Sequence, residues 1–365
     1  MSFLLYVLIA LAVIVLGIWL SGLWLRRGED LRTYDHPIDA EASELFHRPG
    51  GPSAEHRKAE TEIVAAGDGL KGMSRRELLQ FTRNFMEEMP AGKSFDCRFV
   101  PVDAGGVPAE WVIAPGVDPA RRVLYIHGGA FFAGSPNSHR TITSRYSEVA
   151  GAAVLAIDYR LTPENPRLDC IEDCRTAYRW ILENGPEGSG VASRLYISGD
   201  SAGGNLSLAL SQWVRDEKLR APDAVIALSP LTDSTYSSPS IRRNLLTDKM
   251  LGPMFGGLLK IPGPLLAWMY TLENRVRPSN PMVSPLHGNL AGLPPTLIQV
   301  SQAEMLLDDA RRYVNKARSS GTPARIQMWP GLLHVWQIFH PDVPEARDAF
   351  ERIGSYLALI ESGGV

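Results

Sequence analysis

The sequence predicts an α/β fold: a mostly parallel central sheet flanked by helices, with a helical cap and an N-terminal transmembrane helix. Three observations lead there. Short apolar runs at residues 122–126, 153–157, 194–198, 225–228, 295–300 and 325–329 read as buried strands, spaced by stretches of helical character. One of these strands runs into Gly199-Asp200-Ser201-Ala202-Gly203, a serine between two glycines where a helix begins. Residues 3–25 form an uncharged, mostly apolar run, longer than the roughly 20 residues that cross a bilayer's hydrocarbon core.

Taken in chain order, the N-terminal run comes first. A cleaved signal peptide would show a basic start, a shorter apolar stretch and small residues at its end. Here no Lys or Arg precedes the run, and Arg26 and Arg27 follow it at once. A membrane helix with the remainder of the chain on the cytoplasmic side is the expectation. Residues 26–67 are polar, with Pro37, Pro49 and Pro52, and are expected to form a tether with only local structure; an ordered arm packed on a partner subunit is the alternative. Within 68–94, Ser74 and Glu77 have the spacing of a capping box, and Leu78, Leu79, Phe81 and Phe85 form an apolar stripe. The catalytic body is expected over 95–365.

The strand at 122–126 leads into His127-Gly128-Gly129-Ala130-Phe131, where residues without side chains leave backbone N–H groups accessible to a developing oxyanion. A plain glycine turn is the blander reading. After the strand at 153–157 come Asp158, Tyr159 and Arg160, groups suited to bracing that loop. Cys170 and Cys174 share a face of a helix expected over 168–182 and read as small buried side chains rather than half of a metal site.

The strand at 194–198 and a helix over 202–217 meet at Ser201. A chain turning directly from strand to helix crowds its backbone, so glycines two positions either side relieve the clash and let the serine adopt strained dihedrals. The helix start then aims the Ala202 N–H at the reacting centre. A serine hydroxyl needs a histidine to take its proton and a carboxylate to orient that histidine. Of eight histidines only His287, His334 and His340 follow Ser201. His334 stands just beyond the last strand, at 325–329; His340, beside Pro341, reads as a solvated surface residue. For the acid, Glu304 is the first carboxylate after the strand at 295–300, which favours it over Asp308, since catalytic groups gather beyond the carboxyl ends of parallel strands. Asp200 reads as a supporting neighbour of the nucleophile.

With these motifs, His127-Gly128-Gly129-Ala130, Asp158-Tyr159-Arg160-Leu161-Thr162-Pro163-Glu164 and Gly199-Asp200-Ser201-Ala202-Gly203-Gly204-Asn205, the chain resembles the hormone-sensitive-lipase-like (family IV) esterases of the α/β-hydrolase superfamily. The similarity extends from about residue 95 to the end and includes Ser284-Pro285-Leu286 and Gly331-Leu332-Leu333-His334. It implies a carboxylesterase with a triad of Ser201, Glu304 and His334 and an oxyanion hole from Gly128, Gly129 and Ala202. Many members of the family carry aspartate where Glu304 stands. It also implies that the N-terminal helices belong to a cap over the site. A second cap piece is expected from the apolar, Gly/Pro-interrupted insertion at 234–280, with Met254, Phe255 and Trp268 as candidates to line a lipophilic pocket.

Composition narrows the partners. Net charge is −3, from 37 basic and 40 acidic residues, with no basic block interleaved with aromatics, which argues against nucleic acid. Three cysteines make no disulfide framework. No metal or organic cofactor is called for. The expected partners are a small lipophilic ester and the lipid bilayer, with a homo-oligomer left open. Other functions for the same residues are an amidase or peptidase, separated by substrate profiling, and a non-catalytic receptor or scaffold, against which a histidine at 334 argues.

Overall fold

In the computed structural model, which describes residues 3–69 and 72–364, Val123, Leu124, Tyr125 and Ile126 are all fully buried. A strand buried on both faces belongs to the middle of a sheet covered by helices on either side. The sheet has nine strands: β1 (Ser43–Leu45), β2 (Arg98–Asp103), β3 (Pro108–Ile113), β4 (Asp118–Ile126), β5 (Ala152–Ile157), β6 (Arg194–Asp200), β7 (Ala224–Leu228), β8 (Thr296–Ser301) and β9 (Ala324–Trp329). Their spatial order is β1-β9-β8-β7-β6-β4-β5-β3-β2. Every pairing from β1 across to β5 is parallel; β3 joins β5 and β2 joins β3 in antiparallel fashion.

Side chains alternate across the sheet, as strand geometry requires. Leu124, Ile126, Leu155 and Ile197 pack with Tyr178, Leu206 and Tyr313 from α5 (Arg167–Ile181), α6 (Ala202–Asp216) and α10 (Leu307–Ser319). Val123, Tyr125, Val154 and Tyr196 pack with Ile142, Tyr146, Phe350 and Ile353 from α4 (Arg140–Ala150) and α11 (Pro344–Glu361). Register aligns the strand ends that matter: Ile126 sits opposite Gly199, Asp200 opposite Leu228, and Ser301 opposite Trp329. The loops leaving β4, β6, β8 and β9 therefore emerge along one edge.

The N-terminal region departs from expectation. The apolar run is a helix, α1 (Phe3–Leu25), but residues 26–67 are no tether. Leu31 is buried in the main core, Asp35 takes two hydrogen bonds from the Arg312 guanidinium at 2.6 and 2.8 Å, and Lys316 pairs with Glu29. Ser43–Leu45 then adds the parallel edge strand β1 to β9, and α2 (Ala54–Asp68) packs Ala59 and Ile63 beside Trp336 and Ala346. Ser53 caps α2 by accepting from the His56 N–H and donates its own N–H and hydroxyl to Glu345. The segment holds on through a few apolar residues and many polar side chains, so its composition resembles that of a solvated linker.

More than residues 68–94 stands over the strand ends. Residues lining the cavity over the site come from α2, from α3 (Arg75–Glu88), with the reciprocal Ser74–Glu77 capping box in place, and from α7 (Ser240–Arg243) and α8 (Leu251–Phe255) of the insertion, whose remaining helix is α9 (Gly263–Asn274).

Candidate active site

Ser201 has φ +50° and ψ −112°, a region that costs a non-glycine residue about 1–3 kcal/mol. Surrounding bonds hold it there: its N–H donates to Leu228 O at 2.7 Å and its carbonyl accepts from Asn205 N–H at 3.0 Å. A Cβ at Gly199 would lie 2.5 Å from Ile126 O, and one at Gly203 only 1.8 Å from the same atom. Both glycines are thus demanded by the approach of β4 to the elbow. That contact brings the His127-Gly128-Gly129 loop against the serine.

His334 lies five residues beyond the end of β9 and is buried. The Ser201 hydroxyl donates to its Nε2 at 2.9 Å, and its Nδ1–H donates to Glu304 Oε2 at 2.6 Å. Glu304 is fully buried in the turn between β8 and α10, and its other oxygen accepts the Ser301 N–H at 3.0 Å. Helix α10 begins only at Leu307, which leaves Glu304, three residues before it, free to turn toward His334. Burial disfavours the imidazolium at His334, but the hydrogen bond and charge of Glu304 outweigh it, and the pKa is raised above the ordinary histidine value.

Asp308 is elsewhere. Its carboxylate accepts from the Ser240 N–H at 2.9 Å and pairs with Arg243 at 3.0 Å, tying α10 to α7. His287 bonds Asp233 at 3.1 Å, away from the serine. His340 is half-buried rather than solvated, with its ring 5.4 Å from that of Phe350; burial and the nearby Arg145 push its pKa down to about 4.

The glycine loop differs in one respect from what the resemblance implies. The Gly128 N–H is not free: it donates to Asp200 Oδ1 at 3.0 Å, an oxygen that also accepts the Tyr125 hydroxyl at 2.5 Å. A side chain at 128 would strike Asp200 Oδ2 at 2.1 Å. Asp200 therefore clamps the loop, and Gly128 serves it structurally. The N–H groups of Gly129 and Ala130 make no hydrogen bond among the described residues, and Ala202, the first residue of α6, has no partner within its helix. Ala130, at φ +52°, carries a Cβ, so its residue type gives no sign in the sequence that its N–H is open. Of the three groups after β5, only Tyr159 braces the loop, donating its hydroxyl to His127 O at 2.8 Å and stacking on the His127 ring at 4.2 Å. Arg160 is turned to Asp169 and Asp173. A further brace is Asp248, which accepts the Met305 N–H at 2.8 Å and the Leu251 N–H at 2.8 Å, joining the acid-bearing turn to α8.

Above these groups lies a cavity of about 250 Å³, bounded below by Ser201, His334 and Gly129 and above by Ile63, Phe81, Phe85, Met254, Phe255 and Leu258. Met254 and Phe255 line it as expected. Trp268 does not: its indole Nε1–H is bonded to Ile18 O at 3.0 Å, in α1.

Residues 123–338 match a family model described as the alpha/beta hydrolase fold. The chain is 39% identical over 265 residues to an acetyl-hydrolase of Streptomyces hygroscopicus, covering 72% of this chain and 84% of that protein. It is 38% identical over 261 residues to the carboxylesterase/phospholipase LipF of Mycobacterium tuberculosis, covering 68% and 66%. The crystal structure of an esterase from the bacterial hormone-sensitive lipase family superposes with a TM-score of 0.70 at 33% identity, over 84% of this chain and 97% of that one. The chain belongs to the α/β-hydrolase family, among its hormone-sensitive-lipase-like esterases, and is a carboxylic ester hydrolase.

Proposed function

We propose that the chain is a membrane-anchored serine carboxylesterase that cleaves lipophilic esters through an acyl-enzyme on Ser201. The observation that carries this reading is the unbroken chain Ser201 Oγ to His334 to Glu304, at 2.9 and 2.6 Å, at the floor of an apolar cavity. His334 Nε2 takes the Ser201 proton as Oγ attacks the ester carbonyl. The N–H groups of Gly129, Ala130 and Ala202 hold the oxyanion. The tetrahedral intermediate collapses as the imidazolium, oriented by Glu304, protonates the leaving alkoxide. Water, deprotonated by the same imidazole, then attacks the acyl carbonyl and releases the acid.

The anchor reading rests on α1: 23 residues without a charge, with Arg26 and Arg27 immediately after it. The basic flank favours a cytoplasmic catalytic body. Hydrolysis of a graded series of acyl esters by the full-length protein, with Ser201→Ala as the blank, tests the chemistry. Turnover of esters and labelling of Ser201 by a fluorophosphonate are expected; labelling without ester turnover but with amide turnover would make the chain an amidase, and no labelling would end the enzyme reading.

A further inference from the structure

Helix α9 makes two different contacts. Toward α1 it presents Pro264 and Trp268. A Cβ at Gly22 would lie 2.4 Å from Pro264 O, so the two backbones touch, and the Trp268 indole N–H reaches Ile18 O at 3.0 Å. Outward it presents Leu265, Met269 and Leu272, 38, 48 and 73% exposed, at the i, i+4, i+7 spacing of a single helical stripe. No charged residue stands in α9 before Glu273.

The depth of this contact follows from α1 itself. A helix of 23 residues is about 34 Å long, against a hydrocarbon core of about 30 Å. Residues 18–25, which α9 grips, are its last two turns and come to the core's edge. Nor can the anchor swing away: Arg26 donates to Thr235 O at 3.2 Å, and the Ser279 hydroxyl is within 3.0 Å of both Leu25 O and Arg27 O. Exposed cations flank these helices in the chain: Arg27 follows α1, Lys260 precedes α9 and Arg275 is its C-cap, and the Arg277 guanidinium is 5.8 Å from the Trp24 ring centroid, an arrangement that suits anionic headgroups. Leu258, in the turn before α9, is 38% exposed and also forms part of the cavity wall above Ser201.

We propose that the Leu265–Met269–Leu272 stripe lies in the interfacial layer of the bilayer that α1 spans, and that the cavity over Ser201 draws its ester from that layer. The proposal rests on the reading of α1 as an anchor. Its test uses the full-length protein in vesicles of phosphatidylcholine and phosphatidylglycerol, in a Cys97→Ser background. A fluorophore on Met269→Cys is expected to be quenched by acyl-chain-brominated lipid, and one on Val191→Cys is not. An unquenched probe at 269 on protein that stays with the vesicles through a carbonate wash overturns the stripe and leaves the anchor standing; protein that washes off overturns the anchor itself. Disulfide-linked dimers of the unlabelled Met269→Cys protein under a mild thiol oxidant, with no quenching of the labelled protein, assign the stripe to a second copy. Leu265→Asp with Leu272→Asp is expected to lower kcat/KM about tenfold for a long-chain ester carried in the vesicles, and to leave a short water-soluble ester unchanged. Equal loss on both, or none on either, overturns the ester route.

Discussion

Glu304 and His334 meet at 2.6 Å from turns that leave two neighbouring parallel strands, β8 and β9, whose last residues Ser301 and Trp329 are paired in register. The acid thus reaches the imidazole because the sheet places both turns at one edge, and Asp308, further along the chain, is carried into α10 and away.

Replacing each carboxylate by alanine separates their roles. Glu304→Ala is expected to lower kcat by about 10⁴ with KM nearly unchanged. Asp308→Ala, which loses contacts to Ser240 and Arg243, is expected to keep most of the turnover and to lower thermal stability. Steady-state kinetics and a melting curve on the two variants decide this.

The pH profile follows from His334. Only the neutral imidazole can take the serine proton, and Glu304 raises the pKa. The acid limb of kcat/KM should therefore be centred above the ordinary value of about 6.5, with activity falling as pH drops through it. In Glu304→Gln the carboxylate charge is gone and burial prevails, so the residual activity should show its acid limb at lower pH. A limb that stays in place would show that another group governs it.

Chain-length selectivity should reside in α8. Met254→Ala and Phe255→Ala remove cavity wall and are expected to weaken hydrolysis of long acyl esters several-fold more than that of acetate esters. Trp268→Ala, outside the cavity lining and bonded to α1, should leave the ratio of the two rates as it was. Comparing kcat/KM across a series of acyl lengths checks both statements.

The docked N-terminal segment predicts a stability effect far from the site. Asp35→Ala leaves the nearly inaccessible Arg312 side chain without its carboxylate, a loss of about 1–3 kcal/mol. Limited proteolysis should cut within 26–42 faster, and turnover of a soluble ester should be preserved. Unchanged protection would mean that the segment is held by other contacts.

The sequence by itself determined the sheet strands, the elbow at Ser201 and the histidine that meets its hydroxyl. Those features follow from local physics: strands buried on both faces need continuous apolar residues, and a strand that turns at once into a helix needs glycine where Ile126 O crowds the elbow. Tertiary structure decided what depends on distant partners. It bound residues 26–67 to α10, α11 and the sheet edge through side chains such as Asp35 and Ser53, whose polarity reads as linker until Arg312 and Glu345 are seen opposite them. It took the Gly128 N–H for Asp200 and left those of Gly129 and Ala130 open. And it turned Trp268 from the cavity to α1, because an apolar residue in an interrupted segment has no periodic pattern to say which of two apolar surfaces it will meet.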